Sequence, residues 1–171
     1  MAKAAKQDAV ALLKADHRKV EDLFAKFEAA KGGSRKKTLA TEICRELSVH
    51  AKIEEEIFYP ACEGAVDDDM LKESFVEHDG AKVLIAEIEG GGPEDEFYDA
   101  KVTVLSEMIE HHVEEEEKRA EGLFAQAKKA GLDMDALAEQ MMAMKKKLTA
   151  SYKSAGLPKP QTTSFHVTRL G

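Results

Sequence analysis

Apolar residues recur at i, i+3, i+4 and i+7 through most of the chain, the spacing of one buried helix face. Val10, Leu13, His17, Val20, Phe24 and Phe27 predict a first helix over 8–30, ended by Lys31-Gly-Gly-Ser34. Leu39, Ile43, Leu47, Ile53 and Ile57 predict a second over 36–60, closed by Pro60. A third, over 69–89, carries Leu71, Phe75, His78, Ala81, Ile85 and Ile88 before the break Gly90-Gly-Gly-Pro93. A fourth starts near Asp95 with Val102, Leu105, Ile109 and Val113, and its pattern extends through Leu123, Phe124 and Ala127 to Gly131, with Gly122 as a weak point. A fifth runs from Leu132-Asp133 to about Tyr152, with Leu137, Met141, Met144 and Leu148 on one stripe. From Gly156 the chain carries Pro158, Pro160 and a Gln-Thr-Thr-Ser run, which predicts an extended, poorly ordered tail. The expectation is all-α: an up-down-up-down four-helix bundle plus a C-terminal helix as one domain over 1–152, with a tail over 153–171.

Several apolar stripes are interrupted by groups that do not belong in a core. His17 lies in the first stripe and His78 in the third. On the second helix, His50 and Glu54 are four residues apart and share the face of Leu47 and Ile57. The fourth helix offers two histidines, His111 and His112. Positions 102, 105, 109, 112 and 116 form one inward series, which selects His112 and Glu116 and turns His111 and Glu115 about 100° away. Glu55, Glu56 and the other glutamates of the 114–117 run are expected mainly in solvent, with Glu55 able to back a ligand. The pattern repeats: a lone histidine, then His-x3-Glu, in each half of the bundle.

Composition narrows the class. Aromatic residues are 6%, Trp is absent and 34% of residues are charged, as in a highly charged helical protein. A net charge of −8 argues against nucleic-acid or anionic-membrane binding, and no apolar run is long enough to span a bilayer. The two cysteines, Cys44 and Cys62, have no zinc-site spacing and read as reduced thiols, so the expected location is the cytoplasm.

Inward imidazoles and carboxylates must neutralise one another or hold metal, because an unpaired buried charge is costly. If about a third of helix positions face inward, four helices would each place a histidine there by chance about one time in eighty. Four imidazoles and two carboxylates, without thiolate, suit iron first, then manganese, cobalt or zinc. One ion balanced by two carboxylates and two ions sharing them both satisfy the charge. The Glu-x-x-His motif of ferritin-like centres and the H-E-x-x-H motif of zinc proteases are absent.

Asp16-His17, His50-Ala-Lys-Ile-Glu-Glu-Glu-Ile-Phe-Tyr-Pro60, Glu77-His78-Asp79 and His111-His112-Val-Glu-Glu-Glu-Glu117 together resemble the hemerythrin-like, or HHE cation-binding, family over about residues 7–130. The resemblance implies a four-helix bundle with a non-haem, usually di-iron, centre held by His17, His50, Glu54, His78, His112 and Glu116. The oxygen-carrying members have a further histidine where this chain has Lys82, and an aspartate five residues after the fourth-helix histidine where this chain has Glu116 at four. Lys82 could supply a proton or pair with a bridging glutamate. The implied function is binding or sensing of O2, NO or a peroxide, or holding of iron. The alternatives are a di-iron redox enzyme, such as one that decomposes peroxide, and a metal-free helical interaction module. Under each, the fifth helix could serve as an oligomer or partner surface.

Overall fold

The computed structural model describes residues 6–166. Four long helices form an up-down-up-down bundle: α1 (Ala9–Ala29), α2 (Gly33–Ile53), α3 (Asp68–Gly90) and α4 (Tyr98–Glu117). A short α5 (Leu123–Lys129) and a long α6 (Met134–Ala155) follow, and the described residues contain no strand. Aspartates set three of the starts. Asp8, Asp67 and Asp133 accept from the backbone N–H groups of Ala11, Met70 and Ala136 at 2.8, 2.8 and 3.0 Å. Each satisfies a donor that the first turn leaves free.

The second helix does not close at Pro60. It continues through a wide π turn, Glu54–Phe58, and a last α turn, Tyr59–Cys62. Proline has no N–H, and its ring would collide with the carbonyl four residues back. The wide turn opens the backbone there, and the Tyr59 N–H bonds the Glu54 carbonyl five residues earlier. The inward face therefore passes from Glu54 to Tyr59 instead of to Ile57 or Phe58 alone. Both Glu54 and Tyr59 are fully buried, while Ile57 is only half-buried.

The fourth helix is shorter than its apolar pattern. It begins at Tyr98, after a turn in which Asp95 accepts from the Phe97 N–H, and it stops at Glu117. Gly122 ends the break before α5. A Cβ there would lie 2.6 Å from the Glu116 carbonyl oxygen and from the Lys118 nitrogen, so no side chain fits. α6 packs Leu137, Ala138 and Met141 against the end of the bundle formed by α1, α5 and the end of the second helix. Burying leucine or methionine side chains contributes about 1.5–3 kcal/mol each. That stripe of α6 is spent within the chain, while Met142 stays exposed.

The core is split in two. One cluster holds Leu13, Ile53, Phe58, Leu71, Phe124 and Met141, and the other holds Val20, Phe24, Ile43, Leu47, Ile85 and Leu105. Between them lies a layer of buried His17, His50, Glu54, His78, His112 and Glu116. Cys44 and Cys62 are free thiols in the two clusters, and burial pushes each up to about 12. No described helix is long and apolar enough to cross a membrane.

Beyond α6 the chain runs extended across α3. Asp79, fully buried, accepts from the backbone N–H groups of Thr163, Ser164 and Phe165 and from the Ser164 hydroxyl. The part of the tail expected to be poorly ordered thus has defined partners up to Phe165.

Candidate metal centre

Each of the four bundle helices delivers one histidine to the polar layer, and the wheel position settles the choice on α4. His112 is buried and His111 is exposed. The Nε2 atoms pair. Those of His17 and His50 stand 3.2 Å apart, and those of His78 and His112 stand 3.1 Å apart. The glutamates span the pairs. Glu54 Oε1 lies 2.5 Å from His50 Nε2 and 3.7 Å from His78 Nε2. Glu116 Oε2 lies 3.2 Å from His17 Nε2, and its Oε1 lies 3.3 Å from His112 Nε2.

Each of these four histidines is held from behind by a carboxylate on the neighbouring helix. Asp16 of α1 meets His50 Nδ1 at 3.2 Å, and Glu55 of the wide turn meets His78 Nδ1 at 3.0 Å. Glu77 of α3 meets His112 Nδ1, and Glu117 of α4 meets His17 Nδ1 at 2.7 Å. The ring closes around the bundle: each helix carries an inward histidine or glutamate and, one residue away, the carboxylate for the next helix's histidine. An Nδ1–H donated to a carboxylate leaves the Nε2 lone pair facing inward.

These contacts decide three expectations. Glu117 is not a solvent group but orients His17, and Glu55, expected mainly in solvent but able to back a ligand, takes the backing position on His78. The smaller angle per residue in a π turn brings Glu55 toward the Glu54 face. Glu56 does stay outside, paired with Lys52. Lys82 reaches neither bridging glutamate. It donates to Glu55 at 2.9 Å and to the Gln161 carbonyl at 2.9 Å, and stands 3.5 Å from Asp79.

Tyr59 is the functional candidate that helical spacing missed. Its hydroxyl donates to Glu116 Oε1 at 2.8 Å and lies 3.2 and 3.4 Å from the Nε2 atoms of His78 and His112. It points there only because of the wide turn, which a constant 100° per residue cannot anticipate. Asp16 and Glu77 left a signal, since each directly precedes a histidine. Each, however, serves a histidine on another helix.

The residues present fit metal ions. Glu54 Oε1 and Oε2 and Glu116 Oε2 are buried without an aligned hydrogen bond, despite the short Glu54–His50 separation. A buried, unsatisfied carboxylate oxygen costs more than the roughly 1–3 kcal/mol of a neutral group. Two lone-pair nitrogens about 3.2 Å apart match two ligands, each about 2.1 Å from one ion, at an angle of about 100°. Two groups meet the geometry of a cation site among the described residues: His17, His50, Glu54 and Glu116, and Glu54, His78 and His112.

Without a cation the layer must hold protons instead. Burial disfavours the His50 imidazolium, but the Glu54 charge and the Asp16 bond outweigh it and push it up to about 10. His112 is likewise raised well above an ordinary histidine, by Glu116 and Glu77 against the same burial. Burial works against ionisation of Glu116, and the facing His112 and His17 overcome it and hold that carboxyl well below its usual range. The Tyr59 phenol is raised well above its usual range by burial and by the charges of Glu116 and Glu54.

Residues 8–127 match the hemerythrin HHE cation binding domain. The chain belongs to that family. Its HHE domain and its buried histidine–glutamate cluster are compatible with metal binding. A crystal structure of an HHE cation-binding domain-containing protein from Mycobacterium kansasii superposes with a TM-score of 0.72. It covers 88% of this chain and 94% of that one at 20% identity, a likeness of fold. A DNA nickase from Nostoc sp. is 26% identical over 106 residues, which are 62% of this chain and 30% of that protein. The chain thus spans less than a third of that relative's length.

Proposed function

We propose that this HHE domain holds two metal ions, iron in the working protein, and uses them to bind O2, NO or a peroxide. Manganese and zinc are the other ions that suit the ligand set. His17 and His50 would hold one ion and His78 and His112 the other, with Glu54 and Glu116 shared. The observation that carries this reading is the convergence of four Nε2 atoms, each histidine fixed from behind, on two carboxylates with unpartnered oxygens. Bound iron supplies redox and Lewis-acid chemistry at such a site.

The surrounding residues do the rest. Asp16, Glu55, Glu77 and Glu117 hold the imidazoles in the tautomer that ligates. The two apolar clusters flank the layer on both sides. Tyr59 presents a hydroxyl donor on the His78 and His112 side, where it can bond an oxygen of a small ligand. The test is spectroscopic. Reduced, iron-loaded protein should gain a new visible band on exposure to O2 or NO, and an unchanged spectrum would contradict the reading.

A second reading, a redox enzyme that decomposes peroxide, is favoured by an open cavity of about 460 Å3 that reaches all four histidines. Steady hydrogen peroxide turnover by iron-loaded protein, lost in His112→Ala, would support it. Stoichiometric reaction that stops after one turnover would exclude it. The nickase activity of the Nostoc relative is not extended to this chain, which shares so little of that protein's length.

A further inference from the structure

The cavity beside the polar layer is far larger than a diatomic molecule or a peroxide requires. It measures about 460 Å3, about three times the roughly 150 Å3 apolar cavity known to accept benzene. Its walls are Val20, Leu47, Ala81, Ile85, Ile109 and Val113, from all four bundle helices, and its floor is formed by the histidines. The post-α6 segment roofs it with Leu157, Pro158 and Pro160, and Asp79 holds that segment down a few residues later.

The lining also carries charged side chains, among them Glu46, Lys52, Lys82 and Lys159. Among the described residues away from the polar layer, one lining group has a buried polar atom left without a partner. Glu89 lines the cavity, and its Oε1 is buried with no hydrogen-bond partner. Glu89 is eleven residues beyond His78 on the same helix, about 16 Å along the axis at the usual rise per residue. The cavity thus reaches along the bundle as a channel from the histidines to Glu89. Ligand sites have this composition: mostly apolar walls and a few placed polar groups. Burial also pushes the half-buried Glu89 carboxyl up, against the opposing charges of Lys37 and Arg45.

We propose that this channel binds an elongated, largely apolar organic molecule with a hydroxyl or amine donor at one end. The donor end meets Glu89, and the apolar body runs between α2 and α3 toward the histidines. The proposal deepens the proposed function, and rests on it only for what stands at the channel floor; the channel itself is formed by the fold.

Calorimetric titration of the full-length protein with 1-octanol, in metal-loaded and metal-free forms, tests it. The expected result is saturable one-to-one binding. Ala86→Phe, which fills the channel from its wall without touching a histidine or its carboxylate, should abolish it while metal content stays that of the wild type. Glu89→Leu should weaken octanol about tenfold or more, the loss expected for a hydrogen bond to a charged group. It should leave the affinity for n-octane-like bodies such as 1-chlorooctane unchanged. If Ala86→Phe fails to fold, the octanol-to-chlorooctane contrast in Glu89→Leu carries the test alone. Octanol binding without metal loading would support the channel and remove the metal reading. Metal loading with no saturable octanol heat would overturn the channel and leave the metal reading standing. Wild-type octanol affinity in both folded variants would also overturn it.

Discussion

The two halves of the polar layer have the same histidine count but not the same surroundings. Around His17 and His50 the carboxylates are close, and the facing oxygens Glu54 Oε1 and Glu116 Oε2 have no aligned hydrogen bond. Around His78 and His112, Glu54 Oε1 is 3.7 Å from His78, and Glu116 Oε1 is already bonded to the Tyr59 hydroxyl. The first half offers four protein ligands within reach of one point, the second three. A pseudo-repeated sequence has thus produced a compact subsite and a looser one. The looser one also carries the Tyr59 hydroxyl. The wide turn at Glu54–Phe58 makes the difference, because it has no counterpart on α4.

The largest expected effect comes from one of the two glutamates that both halves share. Glu54→Ala should reduce metal content per chain from two to nearly none, measured by elemental analysis of protein loaded and desalted. Retention of one full equivalent would mean that the halves do not share it. Next, His112→Ala should empty only the looser half and leave about one ion per chain. Loss of both ions would show the halves to be inseparable.

Smaller effects should follow from the carboxylates behind the histidines. Asp16→Asn and Glu77→Gln should each weaken one ion by about 10–100-fold, the usual cost of losing such a partner. The two ions should respond separately: the compact half to Asp16→Asn, the looser half to Glu77→Gln. Tyr59→Phe should change least in metal content while altering the spectrum of any ligand bound in the looser half. An unchanged spectrum would remove Tyr59 from that half's chemistry.

The halves also carry a pH signature. In metal-free protein the His50 pKa is raised to about 10, above the unfolded value of about 6.5. The proton on His50 therefore stabilises the metal-free fold fully below about pH 6.5, and that contribution is lost as pH rises through about 10. An ion entering the compact half must displace this proton, so uptake should release protons and tighten as pH rises through that window. Calorimetry in buffers of different ionisation enthalpy would detect the release. Uptake without proton release would contradict the assigned charge state.

Much of this was legible from spacing alone. Helical periodicity brought His17, His50, Glu54, His78, His112 and Glu116 to one layer, because α1 to α4 are regular where five of them lie and Glu54 stands at the very start of the π turn. It selected His112 over His111 for the same reason. The features it missed depend on departures from that regularity or on contacts between helices. Tyr59 turns inward through a π turn. Glu55, Glu77, Asp16 and Glu117 sit one residue off the inward stripe, at seams whose other side belongs to another helix. The anchoring of the tail on Asp79 joins segments more than eighty residues apart, with no periodic signal in either.

The central claim is that one buried layer holds two ions in unequal subsites. Anomalous diffraction from crystals of iron-loaded protein tests it most directly. The account predicts two peaks, the stronger between His17 and His50 and the weaker between His78 and His112. A single peak elsewhere, or none in this layer, would contradict it.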